Sequence, residues 1–174
     1  MAAKAKALPK GVLNARQMLN KINKEPDSLG LVLMYGTENY MIDGAVSMLK
    51  KVCLGEGAED MDMAVIDTRT GDKFDIAKLE ELVAMPPWMS PKRLIVVKQS
   101  GLPNKELSDR DTQLLENLPS STVLVFFEES VDSRKKAFKT FLQCGTVASM
   151  SGFENDELTG WISNRFGKEG IRIG

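Results

Sequence analysis

Two stretches of this sequence carry the residue types of nucleotide chemistry. The first is "LVLMYGTENYMIDGAV", residues 31–46. An apolar run from Leu31 to Tyr35 reads as a buried strand, Gly36 as a turn, and Tyr40 to Val46 as the start of a helix. Strand, glycine turn and helix form the setting of a phosphate loop. Such a loop works by backbone amides that cradle phosphate, a lysine that neutralises it and a hydroxyl that holds magnesium. The motif needs Gly-Lys-Ser/Thr five to seven residues after its first glycine, and Met41, Ile42 and Asp43 stand there instead. Gly36 alone remains, expected to permit a tight turn of special backbone conformation. Ile42 replaces the lysine, in phase with the apolar side of the helix. Glu38 lies near the helix N-terminus, where a carboxylate complements the helix dipole and repels a phosphate. The second stretch is "VLVFFEES", an apolar run that ends in Glu128 and Glu129. Carboxylates at that place hold magnesium and activate water in nucleotide hydrolases, but acidic residues also end strands as solvated groups. Without the lysine, ATP hydrolysis is not expected. The catalytic alternative is a nucleotide-dependent enzyme with an unusual phosphate site built on Gly36, Glu128 and Glu129.

The elements that must position these residues follow from the hydrophobic pattern. Apolar residues at Val12, Leu13, Met18, Leu19 and Ile22 predict a helix over 12–22. Strands are predicted at 31–35, 63–67, 93–98, 122–127 and 146–150. Helices are predicted at 40–54, 74–85, 105–118 and 133–143, the second of these ended by Pro86 and Pro87. Continuous apolar strands that alternate with helices imply a parallel sheet covered on both faces, an α/β doubly wound fold. Residues 154–168 predict one more helix, with Leu158, Trp161, Ile162 and Phe166 in register and Trp161 in its core. That helix and the turn after it suggest a chain cut short of a further domain.

Composition narrows the function. The chain has 174 residues, a net charge of −1 and no histidine. There is no global basic field for nucleic acid, and triad and zinc chemistries lose their commonest side chain. No cofactor or metal is expected. Cys53 and Cys144 have neither metal-ligand nor redox-motif spacing and read as buried reduced thiols. No run is long enough for a membrane span, and the basic N-terminus lacks a secretory apolar core. These points favour the cytoplasm and no membrane partner.

Four segments together carry a family resemblance: "LVLMYGTENYMIDGAV", "LEELVAMPPWMSPKRLIVVKQ", "TVLVFFEESVDSRKKAFKTF" and "ELTGWISNRFGKEGIRI". In order and spacing the chain resembles the delta subunits of bacterial DNA polymerase III clamp loaders. The resemblance implies an AAA+ fold (P-loop NTPase-like) with a mainly five-stranded parallel sheet and no functional phosphate loop. It implies an AAA+-like clamp-binding domain over 1–150, the start of a small helical lid domain over 151–174, and no collar domain. It further implies a non-catalytic part of the polymerase holoenzyme in DNA replication. The implied partners are the sliding clamp (the beta subunit), the gamma/tau and delta prime subunits of the loader, and DNA indirectly or weakly. A scaffold domain that binds only other loader subunits is the remaining alternative.

In that family the clamp contact is an apolar tip after the helix that precedes the third strand. Here the tip is "MPPWMS", Met85 to Ser90, with Pro86, Pro87, Trp88 and Met89 as the contact. Pro87 and Trp88 stand where the family often has leucine and phenylalanine. The residue types suit the role. Two prolines limit the entropy lost on binding, tryptophan is a leading interface anchor, and methionine adapts to a groove. The bland alternative packs Trp88 back onto its own domain and ends a core helix with Met85. Arg93 matches a family arginine and is expected to anchor the tip. Arg134, Lys135, Lys136 and Lys139 are expected on one helix, capped by Asp132 or Ser133, as a solvated face or as a contact to a neighbouring subunit or to DNA.

Overall fold

A computed structural model describes residues 7–151 and 160 of the chain. Strands β1 (Leu31–Tyr35), β2 (Met63–Asp67), β3 (Arg93–Lys98), β4 (Thr122–Glu128) and β5 (Thr146–Ser149) form one sheet. All pairs are parallel, in the order β2-β3-β4-β1-β5. The helices are α1 (Ala15–Lys24), α2 (Asn39–Cys53), α3 (Glu59–Asp62), α4 (Ile76–Ala84), α5 (Asp109–Glu116) and α6 (Lys136–Cys144).

Strand side chains alternate between faces, and the buried residues sort accordingly. Val32, Met34, Leu94, Val96, Val123, Val125 and Phe127 pack under α1 and α2. Leu31, Leu33, Ile95, Val97, Leu124 and Phe126 pack under α4, α5 and α6. Phe126 meets Phe141 edge to face at 5.1 Å between ring centroids. The sheet is therefore doubly wound, as its apolar strands predict. Its inner strands β3, β4 and β1 are sealed on both faces, and loops at the two strand ends are left to carry function.

The element ends differ from the predicted ones where caps decide. The first helix starts at Ala15, because Asn14 and Gln17 form a reciprocal capping box at 2.8 Å each way. Leu13 instead bridges Ala148 and covers the β5 edge of the sheet. The helix predicted at 105–118 is shortened by the Ser108–Asp111 capping box. The one predicted at 133–143 starts at Lys136, so Arg134 lies in the preceding turn. Asp132 and Ser133 do not cap it; Lys135 holds the cap position without a side-chain bond. Cys53 is buried, but Cys144 is only half-buried. The predicted helix over 154–168, Trp161 within it and the proposed lid segment lie outside the described residues. Among the described residues, no helix is long and apolar enough to cross a membrane.

Candidate functional site

At the C-terminal ends of β1 and β4 the would-be nucleotide site is closed. The Gly36 amide donates to the Glu128 carbonyl at 3.0 Å, and the Met150 amide donates to the Tyr35 carbonyl at 2.8 Å. Gly36 has φ 158, a positive value that side-chain-bearing residues rarely adopt, so the expected special conformation is present. Space requires glycine as well: a Cβ there would sit 2.8 Å from the Met150 carbonyl oxygen. Ile42, on the inner face of α2, is buried in the core. Glu38 precedes α2 without a side-chain cap bond, and its Oε2 is buried with no hydrogen-bond partner.

Glu128 is not a solvated strand end. It is 2% exposed. Its Oε1 accepts from the Ser100 amide at 3.0 Å, the Ser100 hydroxyl at 2.6 Å and the Gly101 amide at 3.2 Å. Its Oε2 accepts from the Gly101 amide at 3.2 Å. Burial pushes its carboxyl up, while Ser100 and Gly101 oppose that shift. A carboxylate committed this way ties β4 to the turn after β3 and has little left to offer a metal. Glu129 is exposed, its amide donating to Gln99 Oε1 at 3.2 Å. Among the described residues, no cluster of three or more metal-ligating side chains occurs.

The opposite end of the sheet is built differently. α4 stops at Met85, and Pro86 and Pro87 lead into a loop ahead of β3. Trp88 is 78% exposed, Met89 60% and Met85 46%, so Trp88 does not pack back onto its own domain. Pro86 is exposed and Pro87 half-buried. The loop is nevertheless held from below. Asp62, fully buried at the end of α3, accepts from the Trp88 amide at 2.5 Å through Oδ1 and from the Met89 amide at 2.8 Å through Oδ2. Burial pushes the Asp62 carboxyl up, but the Trp88, Met89 and Ser90 amides and the Ser90 hydroxyl outweigh it and hold it below the usual carboxylate range.

Three further groups fix the loop. The Ser90 hydroxyl accepts from the Gly55 amide at 2.9 Å. Lys92 Nζ donates to the Leu29 carbonyl at 2.9 Å and the Asp27 carbonyl at 3.2 Å. Arg93, itself buried, donates from Nε to the Leu82 carbonyl at 3.1 Å and from Nη1 to the Met61 carbonyl at 3.0 Å. It thus ties the ends of α4 and α3 together beneath the tip. Asp62 and Met61 escape sequence reasoning. Their only local signal is the acidic "EDMD", which looks like surface.

The basic run is not a uniform cationic face. Arg134 pairs with Asp132, Nε to Oδ1 at 3.0 Å and Nη2 to Oδ2 at 3.1 Å, and holds that carboxyl down to about 2. Lys135, Lys136 and Lys139 are exposed. Lys135 and Lys136 line a groove of about 590 Å³ between α5 and α6, shared with Lys105, Glu106, Asp109 and Glu116.

Comparison with known proteins agrees with this architecture. Residues 32–151 match the family model described as DNA polymerase III, delta subunit. The chain is 27% identical over 153 residues to DNA polymerase III subunit delta of Bacillus subtilis (strain 168), covering 81% of this chain and 43% of that protein. The structure is similar to that of the Bacillus subtilis DNA clamp loader delta protein, with TM-score 0.67 at 19% identity, over 92% of this chain and 49% of that one. A DNA polymerase III gamma subunit-related protein of Thermotoga maritima shares the fold at TM-score 0.55 and 13% identity, over 82% and 47%. The chain therefore spans just under half the length of these relatives. The sheet order and these likenesses show an α/β fold shared with those two structures. By its sequence match over most of its length, the chain belongs to the DNA polymerase III delta subunit family.

Proposed function

We propose that this chain is the clamp-binding part of a clamp-loader delta subunit. The tip of Pro86, Pro87, Trp88 and Met89 enters an apolar groove on the sliding clamp, the beta subunit. By preferring the open or strained clamp interface it favours clamp opening during DNA replication, since a ligand shifts an equilibrium only through its differential affinity. The chain does no chemistry of its own. ATP hydrolysis belongs to the gamma/tau partners, and with delta prime they complete the loader in the holoenzyme. Lys135, Lys136 and Lys139 serve contacts to a neighbouring subunit or weak contacts to DNA.

One observation carries this reading: Trp88 is 78% exposed on a loop whose backbone is hydrogen-bonded to a buried carboxylate. An exposed tryptophan on a mobile loop would lose entropy on docking. Held from behind, it presents a large apolar area in a fixed shape. The test is titration of purified sliding clamp with the native chain and with Trp88→Ala, folding being checked by circular dichroism. The folded variant is expected to bind about 2 kcal/mol or more weaker. Equal binding moves the site away from Trp88, and no binding by the native chain overturns the function.

A further inference from the structure

Six large apolar side chains stand exposed among the described residues: Leu8, Met61, Val65, Met85, Trp88 and Met89. Met85, Trp88 and Met89 belong to the tip. Met61 belongs to α3, which the sequence separates from the tip by more than a strand, yet the two segments are bonded into one body. Asp62 gives one carboxylate oxygen to the Trp88 amide and the other to the Met89 amide. Arg93 joins the Met61 carbonyl to the Leu82 carbonyl at the end of α4. A helix of four residues does not persist on its own, so these bonds hold α3 as much as they hold the tip. Met61 remains 48% exposed on that supported turn, next in the chain to the residue that shapes the tip.

We propose that the docking surface is composite: α3 is its second half, with Asp62 positioning the tip and Met61 adding an apolar contact to the clamp. This rests on the docking reading above. Asp62 is buried and touches no partner; it acts by fixing two consecutive amides inward while the Trp88 and Met89 side chains stand out. Met61 is exposed next in the chain to Asp62, whose carboxylate holds the tip, so a clamp groove that covers Trp88 and Met89 is proposed to extend over it. Methionine suits such a margin because its unbranched side chain adapts to the opposing surface.

The test compares four chains against purified sliding clamp: native, Trp88→Ala, Asp62→Asn and Met61→Ala. Asparagine keeps the size of Asp62 but turns one acceptor into a donor that faces a backbone N–H, so one of the two amides is released. The tip then spends part of its time in other shapes, and apparent affinity falls with the competent fraction, by about tenfold if roughly a tenth remains competent. Met61→Ala is expected to weaken binding about fivefold. It alters an exposed side chain and leaves the fold intact. In a Trp161→Phe background, fluorescence anisotropy reports Trp88 alone. It is expected to fall in the unbound Asp62→Asn chain and to stay native in Met61→Ala. If Trp88→Ala weakens binding while either Asp62→Asn or Met61→Ala binds like the native chain, the composite surface is overturned and the docking reading survives. If Trp88→Ala also binds like the native chain, both fall together.

Discussion

The two ends of this sheet use the same device for opposite purposes. At the C-terminal end, buried Glu128 accepts the amides of Ser100 and Gly101. At the N-terminal end, buried Asp62 accepts the amides of Trp88 and Met89. In each case a carboxylate without solvent organises a loop by taking two consecutive backbone donors. Around Glu128 the result is closure: Gly36 lies against Met150, Ile42 is core and the turn after β3 is tied down. Around Asp62 the result is presentation, with apolar side chains held out in water. Open parallel sheets ordinarily place ligands beyond the carboxyl ends of their strands. Here that end is sealed, and the exposed anchor stands at the other.

The comparison can be broken at either end. The largest expected effect is Glu128→Ala, which leaves the buried amide and hydroxyl of Ser100 and the half-buried Gly101 amide without their acceptor. It should cost about 3 kcal/mol of stability by denaturant unfolding, and the folded protein should keep its clamp affinity. A loss of affinity at native stability would mean that the closed end takes part in docking. Gly36→Ala comes next, because its Cβ would meet a main-chain oxygen. About 1–2 kcal/mol of destabilisation is expected, and a neutral result would show that the chain at Met150 yields.

A smaller effect is a slope with pH. The folded-state pKa of Glu128 lies above its ordinary value of 4.5. The folded protein therefore binds this proton more tightly than the unfolded chain, and the stability it contributes is lost as pH rises from 4.5 through the raised value. Asp62 has the opposite sign: its folded-state pKa is depressed, so its contribution is present above the ordinary value of 3.8 and lost as pH falls. Melting temperatures followed upward from about pH 4.5 should decline less in Glu128→Gln than in the native chain, and parallel curves would refute the assignment. The smallest expected effect is that of Trp88→Ala on stability. An exposed anchor contributes to binding alone, so unfolding should shift by no more than about 0.5 kcal/mol. A larger loss would mean that the tryptophan packs on its own domain in solution.

The strands were legible because burial on both faces writes itself into composition. β1, β2 and β3 have the predicted bounds, and β4 adds only Glu128. Helix ends were less legible where a side chain closes the first turn, as Asn14 and Ser108 do, because apolar spacing continues through a cap. α3 was missed, being too short for any period to show. The candidate tip was legible for a local reason: two prolines and a tryptophan ahead of an apolar strand are unusual neighbours. Its support was not legible, since the acceptor of the Trp88 amide lies 26 residues upstream. The burial of Glu128 was equally hidden. Its partners are mostly backbone amides, which every residue but proline carries, so no residue type announces them.

The distances along the chain that hide this support also limit what can be borrowed from it. The tip's bonds reach Asp62 across 26 residues, Gly55 across 35 and Asp27 across 65. A short linear peptide that spells Met85 to Ser90 would carry the same side chains without the acceptor that sets their direction. It would have to supply that order from its own entropy on binding. The shape of the tip is thus a property of the assembled edge of the sheet. A mimic that retains it needs a graft carrying α3, or a synthetic cyclic brace in place of Asp62.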